Sequence, residues 1–450
     1  MTELIFEKVV LTADQERGMQ ELLTWWKLPK SHPQYYNCIF SAPAGCGKTF
    51  LAKYFTRSLK KAYPCFTATT NEAARQLELA GVSSVKTTHS ALGLIPSFTE
   101  ESAKFYQALI PQELSESNIL VIDEASMAGM AASDKESKLI IDYVLDLGMR
   151  TLWLGDWYQL PPVESDNGLS PIFEQGFYTV ELTEVVRNSG DILQFCTSLR
   201  QAIDLPVKRF PKSIPKEVKS ITFPNFYKLL KDEAFLYSVR KGKTRIIVWR
   251  NITADIINSK LREGFFGADL AKKESYLPTD QILFTKPLIA GNFPAELKKL
   301  HGCKTLKQVA SINSKAEILN VKMDVLYSIP CYSCTVRIER GIEAIAWIPT
   351  REGKRLLAAR KAAFKEKLKL RNSQEKKPLW EQWHFFENCF AQVKHSYAIT
   401  THRSQGSTIE NIVVDTVDIL LCARRSPLLA YKMLYTACSR AKASLTLIRG

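Results

Sequence analysis

Short apolar runs rich in β-branched residues recur along the chain, and a polar turn or a helical pattern follows each of them. In the first half these segments are YNCIFSAPAG, PCFTATTNEAARQL, NILVIDEAS and TLWLGDWYQ. Strands that alternate with helices favour a parallel sheet with helical crossovers. The pattern resumes in TRIIVWRNITADIINSKLRE, HSYAITTHRSQG, NIVVDT and SPLLAYKMLYTACSRAKASLTLI. The sequence therefore predicts an α/β protein with two parallel-sheet domains, at residues 1–185 and 186–450.

The pattern changes inside the second domain, at about residues 270–392. Short extended pieces such as QILFTKPLIA and CTVRIERGIEAIAWIP predict a small β insertion there. The stretch from Arg351 to Lys377 then holds eleven Lys or Arg against three acidic residues, with Leu and Ala at roughly helical spacing. It predicts an exposed basic helix, whose charged face is either simply solvated or in contact with a nucleic acid.

Composition and charge narrow the class of protein. With 450 residues, 46% of them hydrophobic, and no uncharged apolar run of the ~18 to 20 residues that span a bilayer, we expect a soluble protein without a membrane partner. The N-terminal stretch carries charges and no cleavage-site pattern, so we expect no signal peptide and a cytoplasmic location. The net charge of +15 favours a polyanionic partner over a merely basic enzyme.

The ten cysteines lie mostly in apolar segments and are expected to be reduced core thiols. Cys331 and Cys334 form a CxxC pair, but neither a second such pair nor nearby histidines accompany them. We assign no metal to this pair.

The segment SAPAGCGKT, Ser41 to Thr49, has the form of a phosphate-binding loop between an apolar strand and a helix. Its small residues let backbone N–H groups approach phosphates, and the following helix directs its positive end at them. Lys48 is expected to reach the β and γ phosphates, and Thr49 to ligate magnesium. The other residues predicted to contact the nucleotide in this loop are Ala44, Gly45, Cys46 and Gly47. Ala42 stands where the standard pattern has glycine.

Two later strands end in polar residues. NILVIDEAS ends in Asp123, predicted to hold magnesium, and Glu124, predicted to polarise the attacking water. In LWLGDWYQLPPV, Asp156 and Gln159 are placed to sense the γ phosphate, although Gly155 and two prolines make a plain turn the alternative.

The order of these motifs, with THRSQGST and LYTACSRA after them, resembles that of superfamily 1B DNA helicases of the RecD-like branch, whose small phage members have a similar layout. The resemblance implies two RecA-like motor domains, ATP and Mg²⁺ as cofactors, and single-stranded DNA and forked duplex as partners. It also implies translocation from 5′ to 3′, a monomer, single-strand-binding or replication proteins as candidate partners, and a role in phage replication or recombination in the host cytoplasm.

The resemblance assigns further site residues by position. Gln15 in LTADQ resembles the glutamine that reads adenine, and Gln405 and Gly406 report on the nucleotide. Arg187 and Arg440 stand where the family keeps arginine fingers, which supply cations to the transferring phosphoryl group. The residues that the resemblance places on DNA are Thr69, Asn71, Thr88, His89, Thr401 and His402. By itself, a lone histidine such as His89 would favour helix capping or packing over a DNA contact. Arg403 stands where the family often has lysine, and it keeps a phosphate-binding cation.

Duplex separation needs a wedge, and family members carry a small β hairpin where this chain has an insertion at about residues 92–116. Phe105 is the aromatic residue expected to stack on the splitting base pair, with Phe98 and Tyr106 as alternatives. The β insertion near residues 275–350 resembles the SH3-like subdomain of this branch. Trp380, Trp383 and Phe385 either stack bases or belong to a core.

Three functions are compatible with these motifs: a DNA helicase, an ATP-gated nucleic-acid remodeller or loader without processive unwinding, and a small-molecule kinase. The two arginine-bearing motifs count against the kinase. An RNA helicase is a further alternative, because no motif shows how a 2′-hydroxyl would be rejected.

Overall fold

A computed structural model describes residues 10–43, 45–97, 104–107, 112–129, 139–162, 170–184, 190–289, 308–338 and 341–450. The chain divides into two compact units, which we call the first and the second unit. The first unit comprises Met1–Ile95, Gln107–Glu217 and Arg425–Ser439. The second unit comprises Pro96–Tyr106, Val218–Arg424 and Arg440–Gly450.

The strands run, in chain order, over β1 (Asn37–Ser41), β2 (Pro64–Ala68), β3 (Lys86–Thr87), β4 (Leu94–Ser97), β5 (Lys104–Gln107), β6 (Ile119–Asp123), β7 (Arg150–Gly155), β8 (Tyr178–Glu181), β9 (Lys219–Thr222), β10 (Thr244–Val248), β11 (Gln281–Phe284), β12 (Leu288–Ile289), β13 (Gln308–Ala310), β14 (Lys315–Leu326), β15 (Ile329–Ile338), β16 (Glu343–Pro349), β17 (Val393–His395), β18 (Ala398–Thr400), β19 (Ile409–Asp415) and β20 (Ala441–Arg449).

The α-helices run over α1 (Ala13–Trp26), α2 (Lys48–Ser58), α3 (Asn71–Leu79), α4 (Thr88–Ala91), α5 (Gln112–Ser115), α6 (Ile140–Asp146), α7 (Asp191–Asp204), α8 (Phe223–Leu229), α9 (Glu233–Arg240), α10 (Asn251–Phe266), α11 (Ala268–Lys273), α12 (Arg351–Lys369), α13 (Ser373–Asn388), α14 (Thr401–Ser404), α15 (Thr416–Leu420) and α16 (Pro427–Cys438).

The first unit is built on a parallel sheet with the strand order β3-β2-β6-β7-β1-β8. The apolar runs of its strands β1, β6 and β7 are almost wholly buried, as expected for a parallel sheet covered on both faces. Phe40, Val121 and Leu154 of the sheet pack with Leu22 of α1 and Phe55 of α2 in one cluster. This burial explains why the hydrophobic runs predict the strands correctly.

The second unit contains a parallel sheet, β18-β10-β19-β20-β9, and a five-stranded antiparallel sheet, β16-β15-β14-β11-β17. The antiparallel sheet lies in the region of the predicted β insertion, and α12 and α13 follow its β16 strand. The α/β class with two parallel sheets is confirmed. The SH3-like character of the insertion stays a prediction, as does the wedge role of the two-stranded β4-β5 sheet in the 92–116 region.

The two units differ in their bounds from the predicted domains 1–185 and 186–450. Helices α7 and α16 lie after residue 186 in the chain, yet both are part of the first unit, where they pack against each other. Phe195 and Leu199 of α7 and Leu434 and Cys438 of α16 are buried. The sequence pattern does not predict that α7 and α16 belong to the first unit, because their contact joins segments more than two hundred residues apart.

The predicted basic helix from Arg351 to Lys377 is two helices in the structure. Helix α12 ends at Lys369, and Asn372 caps α13 by accepting a hydrogen bond from the backbone N–H of Glu375 at 2.9 Å. Asparagine is a strong helix N-cap, so a new helix begins here. Most residues of α12 are exposed, as predicted.

Trp380 and Trp383 of α13 are buried against Phe364 of α12, and the rings of Trp383 and Phe364 stack with centroids 5.0 Å apart. The structure therefore favours the core alternative for these two tryptophans. In the described part of the chain, no helix is both long and apolar enough to cross a membrane.

Candidate nucleotide and nucleic-acid site

The functional residues predicted in the first unit gather at one edge of its sheet. The phosphate-binding loop follows β1, Thr69 follows β2, and Thr88 follows β3. Asp123 ends β6, and Asp156 follows β7. Because all the strands are parallel, these positions share the carboxyl edge, which is where ligands bind in open α/β sheets.

The loop between β1 and α2 makes its turn with two glycines in the left-handed region, Gly45 at φ 90° and Gly47 at φ 81°. A side chain at Gly47 would also meet Gln15, because an added Cβ would lie 2.9 Å from the Gln15 Nε2 atom. Glycine is therefore required at this position. The turn directs the start of α2 towards the space where phosphates would bind.

Gln15 reaches this loop from α1. Its Nε2 donates a hydrogen bond to the carbonyl oxygen of Cys46 at 3.2 Å, and its Oε1 accepts one from the backbone N–H of Thr12 at 3.2 Å. Thr12 in turn caps α1 through the N–H of Gln15, in a capping box. The structure thus brings Gln15 to the phosphate loop, and its reading of adenine remains a prediction.

Two residues of the loop, Ala42 and Cys46, are buried in the interior of the first unit. Ala42, which replaces the usual glycine, is buried in the core cluster of the first unit, as is Cys46. Burial raises the pKa of the Cys46 thiol to about 12, so it stays neutral and unreactive. The Lys48 ammonium donates a hydrogen bond to the Ala42 carbonyl oxygen at 2.8 Å. Lys48 is thereby held over the loop.

Thr49 and Asp123 meet across the sheet edge, where the Thr49 hydroxyl donates to Asp123 Oδ2 at 3.2 Å. Burial and the neighbouring charge of Glu124 raise the pKa of Asp123 to about 6, although Lys48 opposes this shift. A hydroxyl and a carboxylate are ligands that suit a hard divalent cation such as Mg²⁺, and a cation here would favour the ionised carboxylate. The residues present therefore fit a magnesium site.

Glu124 is held in an unusual backbone conformation. Its φ of 52° and ψ of 41° lie in the left-handed region, which costs a residue with a side chain about 1–3 kcal/mol. The Thr69 hydroxyl donates to the Glu124 carbonyl oxygen at 2.9 Å, and the Thr69 N–H donates to the Asp123 carbonyl oxygen at 3.2 Å. Thr69, predicted only as a DNA contact, thus also holds the peptide of the candidate catalytic carboxylate.

Asp156 is the centre of a buried network after β7. Only 1% of it is exposed, and its Oδ2 accepts hydrogen bonds from Gln159 Nε2 at 3.2 Å and from the Tyr435 hydroxyl at 2.8 Å. Its Oδ1 accepts from the N–H of Tyr158 at 3.0 Å. The ammonium of Lys432, one turn before Tyr435 on α16, donates a hydrogen bond to the Trp157 carbonyl oxygen at 2.8 Å. These contacts exclude a plain turn as the only role of the segment.

Sequence reasoning missed Tyr435 and Lys432. Both stand three residues apart in SPLLAYKMLYTACSRA, so they lie on one side of an otherwise apolar helix. Two polar groups on the buried side of an apolar helix are a signal of a buried network. That signal was available, but it could not identify the partner.

The predicted DNA contacts of the first unit divide into exposed and buried residues. Asn71 is exposed in the first turn of α3, and His89 is partly exposed in α4. The Thr88 side chain is 0% exposed, and its hydroxyl lies 3.3 Å from that of Thr67 in the interior. The predicted contact of Thr88 with DNA is corrected to a packing role, because its side chain does not reach the surface.

Thr401 in the second unit needs the same correction. It is 0% exposed, and its hydroxyl donates to the Val248 carbonyl oxygen at 3.2 Å. His402 is partly exposed, and burial lowers its pKa, so its neutral form is favoured. Of the two threonine–histidine pairs, only the histidines are accessible.

Gln405, Gly406 and Arg440 lie before the parallel strands β19 and β20. Gly406 has a φ of 73°, and Gln405 is buried. The Ile409 N–H donates to the Arg440 carbonyl oxygen at 3.0 Å, which holds these two chain segments together. Predicted residues outside the description are Ala44, Phe98 and Arg187, together with the side chains of Phe105 and Tyr106.

Cys331 and Cys334 lie in β15, in different clusters of buried side chains. Burial raises the pKa of Cys331 to about 11 and that of Cys334 to about 12. Both are core residues of the second unit, and within the described ranges no group of three or more His, Cys, Asp or Glu is arranged to hold a metal ion.

Comparison with known proteins identifies two conserved domains. Residues 12–202 match the family described as an AAA domain, and residues 395–448 match the UvrD-like helicase C-terminal domain. The chain is 24% identical to the ATP-dependent DNA helicase Dda of Enterobacteria phage T4, over 96% of this chain and 98% of that protein. It is also 24% identical to an uncharacterized protein of Acanthamoeba polyphaga mimivirus, over 89% of this chain and 93% of that one.

Among solved structures, the chain is similar to the Pif1 helicase of Candida albicans, with 15% identity, a TM-score of 0.47, and coverage of 98% of this chain and 95% of that one. For the Bacteroides Pif1 helicase in complex with ADP-AlF3 and single-stranded DNA, the identity is 15% and the TM-score 0.48, with coverage of 98% and 92%.

The fold and the site together define a nucleotide-binding protein with a phosphate loop, two acidic residues after a parallel strand, and a second parallel-sheet unit. The chain matches an AAA domain and a UvrD-like helicase C-terminal domain and is similar to the DNA helicase Dda over nearly its whole length, in agreement with the helicase resemblance of its motifs.

Proposed function

We propose that this helicase hydrolyses ATP with Mg²⁺, moves from 5′ to 3′ along single-stranded DNA, and separates duplex DNA. The observation that carries the proposal is the cluster at the first sheet edge, where Lys48, Thr49 and Asp123 lie beside Glu124. This cluster combines a phosphate-binding cation, a divalent-cation site and a candidate base, which are the groups that phosphoryl transfer to water requires.

Each residue then has a role in hydrolysis. The loop from Ala44 to Thr49 binds the phosphates, and Thr49 and Asp123 hold Mg²⁺, which when bound neutralises phosphate charge. Glu124 orients the attacking water and accepts its proton, and Gln159 contacts the γ phosphate. Arg187 and Arg440 supply the remaining positive charge in the transition state. Gln15 distinguishes adenine.

Single-stranded DNA is the proposed polyanionic partner of the basic chain. Thr69, Asn71, His89 and His402 are the accessible residues among the predicted contacts, and Thr69 also links the strand to the Glu124 peptide. Phe105 is the proposed wedge at the fork. ATP-driven closure and opening of the two motor domains moves one grip on the strand past the other.

The central experiment measures ATP turnover with and without single-stranded DNA, and strand displacement from duplexes with a 5′ or a 3′ tail. We expect strong stimulation by DNA and displacement only from the 5′ tail. Stimulation without displacement would favour the loader alternative, and preferential stimulation by RNA would favour an RNA helicase. No stimulation by either nucleic acid would refute the proposed function.

Lys48→Ala tests the nucleotide site. We expect turnover to fall roughly 10²–10³-fold, because one preorganised positive group is lost from the phosphates, while binding of DNA is retained. Lys53→Ala is the matched control, since Lys53 lies on the same helix α2 and bonds to the Ala80 carbonyl oxygen instead. Unchanged turnover in Lys48→Ala would contradict the assignment.

Phe105→Ala tests the wedge separately. DNA-stimulated turnover should be retained while strand displacement falls, because the motor is intact and only base stacking is lost. Phe98→Ala and Tyr106→Ala test the two alternatives in the same assay. If turnover and displacement fell together, or neither changed, Phe105 would not be the wedge.

A further inference from the structure

The hydrogen bond between Tyr435 and Asp156 joins two distant parts of the chain inside the first unit. Asp156 follows β7, and Tyr435 belongs to α16, 279 residues later. Two further bonds link the same segments, from the Lys432 ammonium to the Trp157 carbonyl oxygen and from the Leu160 N–H to the Thr436 hydroxyl at 3.1 Å. Helix α16 is therefore fixed along the whole segment that contains Gln159.

Tyr435 and Gln159 share one acceptor atom. Both donate to Asp156 Oδ2, and both side chains are almost completely buried. The other end of the Gln159 amide, Oε1, is buried and has no hydrogen-bond partner among the described residues. The carboxylate thus fixes the amide of Gln159 at its nitrogen and leaves its oxygen available to a ligand or a water.

The charge of the network makes this arrangement depend on Tyr435. Within the ranges that the structure describes, the hydrogen-bond donors to the Asp156 carboxylate are neutral, namely an amide, a backbone N–H and a phenol, while the Lys432 ammonium interacts with it through its charge. Burial and the charge of Asp156 raise the pKa of Tyr435, so the phenol stays protonated and donates. Hydrogen bonds to a charged acceptor are about twice as strong as neutral ones.

We propose that Tyr435 is a positioning residue for ATP hydrolysis, which holds the Asp156 carboxylate so that the amide of Gln159 is oriented towards the nucleotide. The inference rests on the proposed function. Tyr435 does not touch the nucleotide itself; it acts through Asp156 and Gln159. The last helix of the first unit thereby takes part in the chemistry at the sheet edge.

A double-mutant cycle tests this path. Tyr435→Phe removes only the hydroxyl, and we expect kcat for ATP turnover with Mg²⁺ and oligo(dT) to fall roughly 10- to 150-fold, as for the loss of a bond to a charged group, with KM for ATP within about 2-fold of wild type. In the Gln159→Ala background the same change should have no further effect on kcat. A bond that only stabilises the fold would cost the same factor in both backgrounds.

Tyr431→Phe is the matched control. Tyr431 lies one turn earlier on α16 and is also buried, and no hydrogen bond of its hydroxyl is found in the described part of the chain. Its kcat should equal that of wild type. Should Tyr435→Phe lose the native circular dichroism spectrum, Asp156→Asn replaces it in the cycle with the same expected non-additivity.

The outcomes separate the two levels of inference. Normal wild-type turnover with additive losses in the cycle would overturn the role of Tyr435 and leave the proposed function intact. Absence of ATP turnover in the wild-type protein would overturn the proposed function and the role of Tyr435 together. Non-additive losses with an unchanged KM would support both.

Discussion

Two pairs of carboxylates, Asp123 and Asp156 in the first unit and Asp280 and Asp418 in the second, differ in the groups that contact them. In the first unit, burial and Glu124 raise the pKa of Asp123 to about 6, and Asp156 is bonded to neutral donors. In the second unit, Asp280 and Asp418 each contact an arginine. The first pair lies where ligands are predicted to bind, and the second pair does not.

Asp280 is a buried carboxylate whose negative charge is stabilised by several hydrogen bonds and by cationic side chains. It is 0% exposed and accepts hydrogen bonds from Arg262 Nε at 3.1 Å, from the Tyr397 hydroxyl at 3.0 Å and from the Leu277 N–H at 2.9 Å. His395 Nε2 lies 3.5 Å from its Oδ2. Burial alone would raise the pKa of Asp280, but the hydrogen bonds and charges of His395 and Arg262 outweigh burial and lower it.

Asp418 is compensated in the same way. Its two oxygens accept four hydrogen bonds, from the N–H groups of Trp249 and Arg250, from Arg250 Nε at 2.6 Å and from the Thr253 hydroxyl at 2.8 Å. A carboxylate with this many donors has no need of a ligand. Among these four carboxylates, the two for which the described residues include no hydrogen-bonded arginine lie at the sheet edge where a cation or a substrate is proposed to bind.

The largest expected effect is on stability in the second unit. Asp280→Asn should destabilise the protein by about 3–5 kcal/mol, because it leaves the buried Arg262 guanidinium without its counter-ion. The midpoint of thermal unfolding measures this loss. Asp255→Asn is the control, since Asp255 pairs with Lys394 at the surface, and it should cost less than about 1 kcal/mol. Equal losses would remove the contrast between buried and surface pairs.

Asp123→Asn should impair activity and leave stability unchanged or increased. We expect turnover of ATP to fall roughly 10²–10³-fold, as for the loss of one preorganised charged group, while the thermal midpoint is unchanged or higher. The raised pKa of Asp123 means that the fold disfavours its charged form, so removing the charge relieves a cost. A lower midpoint together with normal turnover would reverse the comparison.

A smaller effect is expected from Thr69→Val, which removes the hydroxyl that holds the Glu124 carbonyl oxygen. One hydrogen bond contributes about 0.5–1.5 kcal/mol, so kcat of the DNA-stimulated reaction should fall about 2- to 10-fold. Thr24→Val serves as the control, because the Thr24 hydroxyl also bonds to a carbonyl oxygen but on the exposed side of α1. Weaker DNA binding with an unchanged kcat would mean that Thr69 acts only on the strand.

The smallest effect is the dependence of stability on acid pH. Because the pKa of Asp280 is lowered in the folded state, its contribution is fully present above the unfolded value of about 3.9 and is lost as pH falls through the folded value. The difference in thermal midpoint between wild type and Asp280→Asn should therefore narrow below about pH 4. A difference that stayed constant down to pH 3 would indicate that Asp280 contributes by packing rather than by charge.

The sequence predicts the phosphate loop, the acidic strand end and the Asp156 segment, because each combines a buried strand with a polar edge. It does not predict that Thr88 and Thr401 face inward, since a four-residue helix is too short to show a periodic pattern. Nor does it predict the Asp280 cluster, which is assembled from Arg262, Leu277, His395 and Tyr397. Such contacts depend on tertiary packing between residues far apart in the chain, which a local sequence pattern does not predict.

Helix α16 comes late in the chain but is part of the first unit, and this order affects how the protein folds as it is synthesised. The first unit's earlier segments are finished at Glu217, but its last segment begins about 200 residues later, at Arg425. At about 5–20 residues per second, the ribosome needs roughly 10 to 40 s to supply it. During that interval the apolar face of α7 lacks its partner helix, and Asp156 lacks its phenol. A nascent chain is therefore exposed to aggregation and proteolysis until α16 is synthesised, and a fragment that ends at Glu217 would have the same defect.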